Sequence, residues 1–283
     1  MRVLVTGAKG QLGYDIVQQL ELQNIENLGI GRNEIDITDK QATIRFIGEY
    51  KPNVVIHCAA YTSVDKAEDE KEKCYSTNVN GTSYIAEACS KVDAAMVYIS
   101  TDYVFNGDNK DPYETSHIPN PICYYGQTKY FGELEVKKYL EKYYIVRVSW
   151  VFGQNGCNFV KTMLNLGKQR SEIKVVADQI GSPTYTLDAA KMICKLFTTG
   201  KYGTYHCTNE GFCSWYEFAK EIFRLVRYDT AVIPICSGDY PVKAKRPKSS
   251  RLSKHSLDVD GLERLPEWKD ALERFLKEIC LKK

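Results

Sequence analysis

Histidine is scarce in this chain, with four in 283 residues. His57, His117, His206 and His255 show no HExxH motif, no paired metal spacing and no GxSxG partner, which excludes zinc hydrolysis and acyl transfer. Long apolar runs are absent too. Met1 and Arg2 are followed by only three apolar residues before Thr6, so no signal peptide is expected. No segment approaches the roughly 20 apolar residues that span a bilayer, so no membrane partner is expected. Charge of one sign is missing as well. The net charge is +2, from 38 basic and 36 acidic residues, with no basic stripe for nucleic acid and no acidic tail. The 10 cysteines include no CxxC pair. Cys58, Cys89 and Cys194 sit in strand-like or helical surroundings and read as reduced core thiols, so the expected compartment is the cytoplasm. No compact carboxylate cluster suggests a metal site.

Small-molecule chemistry is what these exclusions leave, and the N-terminus points to its kind. Arg2–Thr6 reads as a short buried strand running straight into Gly7, Gly10, Gln11, Leu12 and Gly13. Gly7 permits the tight turn, Gly10 lets backbone approach a pyrophosphate, and Gly13 allows the next helix to pack closely on the sheet. The helix N-terminus then faces the anion. The spacing is GxxGxxG rather than GxGxxG, and its place after the first strand favours dinucleotide binding over a plain loop. A second strand is expected over residues 27–32, and the acidic residue that usually holds a ribose 2′-hydroxyl is missing from its end. Gly31 followed by Arg32 favours NADPH over NADH, with NADH still open, because an arginine accommodates a 2′-phosphate. Arg32 read alone also fits a solvated loop cation, and Asp36 and Ile37 suit the flank of an adenine.

Alternating strands and helices continue to about residue 150, with helices expected at 11–22, 40–50 and 74–91 and strands at 54–57, 95–99 and 145–148. Residues 106–121, rich in Asn, Asp, Pro and Gly, form an irregular excursion. Helical crossovers imply an α/β fold with a doubly wound parallel sheet and ligands at the carboxyl ends of its strands. Length allows one main domain with a smaller one appended. Ala59 and Ala60 are small enough for backbone to lie against a dinucleotide, whereas His57 caps a strand. Ser182 and Pro183 read as a turn, and Trp215, Tyr216 and Phe218 as an amphipathic helix without a functional role.

Tyr125 and Lys129, four residues apart, place a phenol and an ammonium on one helical face. A free tyrosine has a pKa of about 10, and a neighbouring cation favours the phenolate, so the pair is a proton-transfer device with an acidified phenol. Among 20 tyrosines such a pair also arises on an ordinary solvated face. Thr101 and Asp102 follow a strand, where a hydroxyl could bond both a substrate oxygen and the phenol. A turn or helix cap accounts for that pair equally well.

Taken together, GxxGxxG, CAAYT at 58–62, NVNGT at 78–82, STDYVF at 100–105 and YGQTK at 125–129 resemble the extended short-chain dehydrogenases/reductases. STDYVFNG, RVSWVFG at 147–153, NFVKTML at 158–164, DQIGSPT at 178–184 and RPKSSRL at 246–252 narrow this, over nearly the whole chain, to a resemblance to the dTDP-4-dehydrorhamnose reductase family. The resemblance implies a Rossmann core over 1–150 and a smaller, mainly substrate-binding region over 151–283, some segments of which return to the core. It implies Thr101, Tyr125 and Lys129 as the catalytic set, and adds Tyr61, Thr62 and Asn78 to the cofactor residues. Asp102, Val104, Phe105 and Trp150 would lie beside the hexose, and Asn158, Arg246 and Arg251 at the diphosphate or nucleotide end of a nucleotide-sugar substrate. Without the resemblance, Trp150 reads as a core aromatic, and residues 243–251, with five cations, as a solvated loop. The same fold also serves nucleotide-sugar epimerases and dehydratases that hold NAD, and a non-catalytic NADP-binding regulatory subunit, the methionine adenosyltransferase beta subunit. Oligomeric state is open, a homodimer included.

Overall fold

Val3, Leu4 and Val5 are fully buried, as are Val55 and Ile56, so these strands bury both faces. That is the signature of a parallel sheet covered by helices on either side. The computed structural model describes residues 1–281, with side chains through 279. Its first half alternates β1 (Arg2–Thr6), α1 (Gln11–Leu22), β2 (Glu26–Ile30), α2 (Lys40–Tyr50), β3 (Val54–His57), α3 (Val64–Ala67), α4 (Lys71–Tyr75), α5 (Thr82–Lys91), β4 (Ala95–Thr101), α6 (Tyr124–Tyr139) and β5 (Tyr143–Val148). The second half holds β6 (Val151–Phe152), α7 (Phe159–Gln169), β7 (Glu172–Val176), β8 (Ile180–Gly181), β9 (Thr184–Tyr185), α8 (Thr186–Leu196) and β10 (Gly203–His206). It closes with β11 (Cys213–Ser214), α9 (Trp215–Val226), β12 (Ala231–Ile235), α10 (His255–Val259) and α11 (Trp268–Leu281).

Six strands form one parallel sheet in the order β10-β5-β4-β3-β1-β2. From β1 the chain crosses one way to β2 and the other way to β3, so the strand order reverses between them. Crevices for ligands open outside the carboxyl ends at such a point. Strand β10 comes from the second half of the chain, and α8 packs on α1. The Thr186 hydroxyl on α8 donates to the Asp15 carboxylate on α1 and ties these helices together. A separate core, including Phe152, Tyr185, Phe218 and Phe275, fills the space among α7, α9, α11 and the short strand pairs.

The sheet is doubly wound and parallel, as the helical crossovers predict. One helix differs from expectation. The segment predicted as a single helix over 74–91 is α4, a π-helical stretch at Ser76–Gly81, and α5. Wide π turns aim Asn78 inward, where it is 1% exposed, and an inserted residue in a helical ladder leaves no trace in hydrophobic periodicity.

Candidate active site

A cleft of about 860 Å³ lies over the carboxyl ends of β1, β3 and β4. Its lining includes Gly7, Gly10, Gln11, Leu12 and Gly13, then Arg32, Asp36 and Ile37, and Ala59, Ala60, Tyr61 and Thr62. Gly7 has φ +68, and a Cβ there would stand 2.6 Å from the Ala59 nitrogen; a Cβ on Gly13 would stand 2.3 Å from the Gly7 carbonyl oxygen. No side chain caps the start of α1 at Gly10, so its first N–H groups are left for a ligand. Such a cradle fits a dinucleotide pyrophosphate.

Across the cleft, β4 ends in Thr101 and α6 begins one residue before Tyr125. Gly126 brings them together, because a Cβ there would lie 2.1 Å from the Tyr103 carbonyl oxygen. The Thr101 hydroxyl donates to Asp102 Oδ1 at 2.9 Å, and its polarity acts to lower the Tyr125 phenol. Asp102 Oδ2 accepts from the Ser149 hydroxyl at 2.9 Å. Burial raises the Asp102 carboxyl, opposed by the hydroxyls of Ser250, Ser149 and Thr101.

The expected acidification of Tyr125 by Lys129 is not what the site shows. Burial pushes the phenol well above its usual value, and the influence of the Thr101 hydroxyl opposes this only partly. Lys129 is itself buried and pushed down to about 7, with the Glu133 charge working the other way. Its Nζ rests over the Tyr98 ring, 4.1 Å from the centroid. An ammonium that is half neutral near pH 7 exerts little pull on a neighbouring phenol. The phenol therefore keeps its proton at neutral pH, the state a proton donor needs.

Beneath this pair α6 is fixed to the sheet. Glu133 takes two bonds from Arg147 on β5, at 2.8 and 2.7 Å, and a third from Ser100 on β4 at 2.6 Å. Both ionic side chains are at most 2% exposed. Asn78 is not a wall of the cleft. It accepts from the Tyr61 amide at 2.8 Å and donates to the Tyr61 carbonyl and to Thr128, tying the Tyr61 backbone to the helix of Tyr125. His57 ends β3, its ring joined to Thr6 and Thr82 and held neutral by burial, with its pKa down to about 3.

Trp150 and Asn158 reach the cleft from the second half of the chain. Trp150 takes a left-handed backbone, φ 46, and stacks on Trp215 with centroids 3.5 Å apart and planes 11° from parallel. Asn158 caps α7 and donates to Gln11 Oε1 at 3.0 Å, joining the second half to the glycine loop. The remaining substrate candidates lie outside the cleft lining. Val104 and Phe105 are fully buried, Phe105 stacked on Tyr113 at 4.1 Å. Arg246 pairs with Asp65 at 2.8 Å, and Arg251 bonds Ser249 and the Lys110 carbonyl.

Sequence reasoning missed several lining residues, including Lys73, Thr77, Cys157 and Trp215. Trp215 carries a usable signal, because the Ser214–Glu217 capping box fixes it as the first residue of α9. A carboxylate also stands where none was expected. Glu34 folds back to accept from the Gly31 amide at 2.7 Å, a contact that the residue types at the end of β2 do not reveal. Among the described residues no cluster of three or more His, Cys, Asp or Glu side chains is gathered as a metal site.

Similarity to known proteins agrees with this geometry. The family model of the RmlD substrate binding domain matches residues 1–281. The spore coat polysaccharide biosynthesis protein SpsK of Bacillus subtilis (strain 168) is 40% identical over 277 residues, 98% of this chain and 97% of the relative. The dTDP-4-dehydrorhamnose reductase of Aggregatibacter actinomycetemcomitans is 41% identical over 287 residues, 97% of this chain and 98% of the relative. The crystal structure of dTDP-4-dehydrorhamnose reductase from Bacillus anthracis str. Ames in complex with NADP superposes with TM-score 0.96 at 46% identity, covering 98% of this chain and 99% of that one. With a glycine cradle, a Thr-Tyr-Lys set and full-length similarity all in agreement, the chain belongs to the RmlD substrate binding domain family.

Proposed function

We propose that the chain reduces the C4 keto group of dTDP-4-dehydro-L-rhamnose to dTDP-L-rhamnose, with NADPH as reductant and NADH as a second choice. The observation that carries this reading is the convergence of Thr101, Tyr125 and Lys129 on a cleft that the glycine cradle also lines. When bound, the reduced nicotinamide supplies the hydride. Thr101 orients the carbonyl oxygen, and Tyr125, kept protonated by its burial, gives that oxygen the proton as negative charge develops on it. Lys129 binds ribose hydroxyls and so positions the nicotinamide ribose beside the phenol. Gly7, Gly10, Gln11, Leu12 and Gly13 take the pyrophosphate, with Arg32, Asp36, Ile37 and residues 59–62 along the rest of the dinucleotide.

In this reading residues 1–150 form the dinucleotide half and 151–283 mainly the substrate half. Asp102 and Trp150 face the sugar. Asn158 connects the halves, Val104 and Phe105 are packed in a small core with Tyr113 and Leu252, and Arg246 and Arg251 reach a nucleotide only by leaving their present partners. The free thiols among the described residues support a reducing compartment, the cytoplasm. The test follows oxidation of NADPH and NADH at equal concentration with dTDP-4-dehydro-L-rhamnose and a panel of other keto sugars. Turnover on the dTDP sugar, faster with NADPH, is expected. Stoichiometric NAD in the purified protein would instead indicate an epimerase or dehydratase, and inertness toward every keto sugar a regulatory subunit.

A further inference from the structure

Tyr98 and Ser100 share one face of β4, and both reach α6. Ser100 donates to Glu133, whereas the Tyr98 hydroxyl donates to the Lys129 carbonyl at 3.2 Å. The amine of the same lysine lies over the Tyr98 ring, 4.1 Å from its centroid. One tyrosine therefore holds Lys129 at both ends, by its backbone and by its amine. Tyr98 is fully buried, and a Cβ on Gly132 would collide with its hydroxyl, so α6 leaves room for it with a glycine. Burial raises the Tyr98 phenol well above its usual value and keeps the ring neutral. Glu133, the carboxylate one turn along α6 from Lys129, has both oxygens taken by Arg147 and Ser100. Among the described residues the Lys129 amine makes no hydrogen bond and no ion pair.

We propose that Tyr98 is a positioning residue for the reduction, its ring being the seat that holds the Lys129 ammonium at the cleft with every N–H left for the cofactor ribose. The proposal rests on the reductase reading above. A carboxylate partner would take one or two of the three N–H groups and draw the charge away from the cleft. A ring face attracts the cation without taking a directed bond. The same electron-rich face favours the ammonium over the neutral amine, against the burial that brings Lys129 down to about 7.

The test weakens the ring face at nearly constant shape and reads binding rather than turnover. NADP⁺ and 2′,5′-ADP are titrated by calorimetry into the wild type, into Tyr98→Phe, and into proteins whose residue 98 is that phenylalanine with one, two and three ring fluorines. Tyr98→Phe keeps the face and should bind NADP⁺ within about twofold of wild type. Each fluorine withdraws electron density, so NADP⁺ should weaken stepwise, to about three- to tenfold, as a smaller fraction of the protein presents the ammonium at the cleft. Binding of 2′,5′-ADP, which has no nicotinamide ribose, should stay constant through the series. NADP⁺ affinity independent of fluorine count, a loss already complete in Tyr98→Phe, or an equal loss for 2′,5′-ADP would overturn the seat and leave the reductase reading intact. A wild type that binds neither ligand would overturn the dinucleotide site, and the seat with it.

Discussion

Replacing Tyr125 with phenylalanine removes a single hydroxyl from a site whose packing is otherwise kept. The Tyr125 ring is 9% exposed and meets Tyr103 edge-on, with centroids 5.7 Å apart, a contact that phenylalanine retains. The structural cost is at most that of one polar contact of the phenol, about 1 kcal/mol on the scale of a typical net hydrogen bond. The chemical cost is much larger. A positioned general acid contributes about 10² to 10⁴ in rate, or roughly 3–5 kcal/mol of transition-state stabilisation. Asp102, the nearest other acidic group, already has its oxygens engaged by Thr101 and Ser149 and is a poor substitute donor. Steady-state oxidation of NADPH with saturating dTDP-4-dehydro-L-rhamnose should therefore show kcat down by at least about two orders of magnitude. Calorimetric NADP⁺ binding and the thermal transition should change little. A kcat within tenfold of wild type would refute the assignment of the proton to Tyr125, and a collapsed thermal transition would refute the claim that its hydroxyl is spared by the fold.

Three more predictions follow from the surrounding structure. Glu133→Gln strands the buried Arg147 guanidinium and should cost about 3–5 kcal/mol in denaturant unfolding; a loss below about 1 kcal/mol would contradict the pinning role given to that pair. Lys129, at about 7 when folded and 10.5 in its unperturbed state, binds a proton only in the unfolded chain between those values. Stability relative to Lys129→Met should therefore rise with pH across that window, by about 1.4 kcal/mol per unit, and a flat difference would show that the amine is not held in an apolar site. Trp215→Ala unstacks Trp150 and should raise KM for the nucleotide sugar about two- to tenfold with a smaller effect on kcat; an unchanged KM would remove Trp215 from the substrate wall.

Much of the first half of the chain is legible in the sequence because its determinants are local. The bounds of α1, α2 and β3 coincide with those read from apolar periodicity, and Gly7, Gly10 and Gly13 stand where strand, turn and helix require them. The four-residue step from Tyr125 to Lys129 places both on one face of α6 whatever surrounds it. Extended motifs carry the family as well, since residue identities in order survive when contacts are unknown.

What the sequence determined by itself was the order of elements, the glycine cradle and the candidate proton-transfer pair on one helical face, each set by neighbours within a few positions. Only the tertiary structure decided how those side chains are charged and what stands behind them. The protonated phenol and weakened ammonium follow from burial under strands and helices distant in the chain. The Trp150–Trp215 stack joins residues 65 apart in the numbering, and the Glu34–Lys9 contact joins two loops. Burial, desolvation and long-range pairing depend on distances in space, and a pattern of residue types along a line does not contain them.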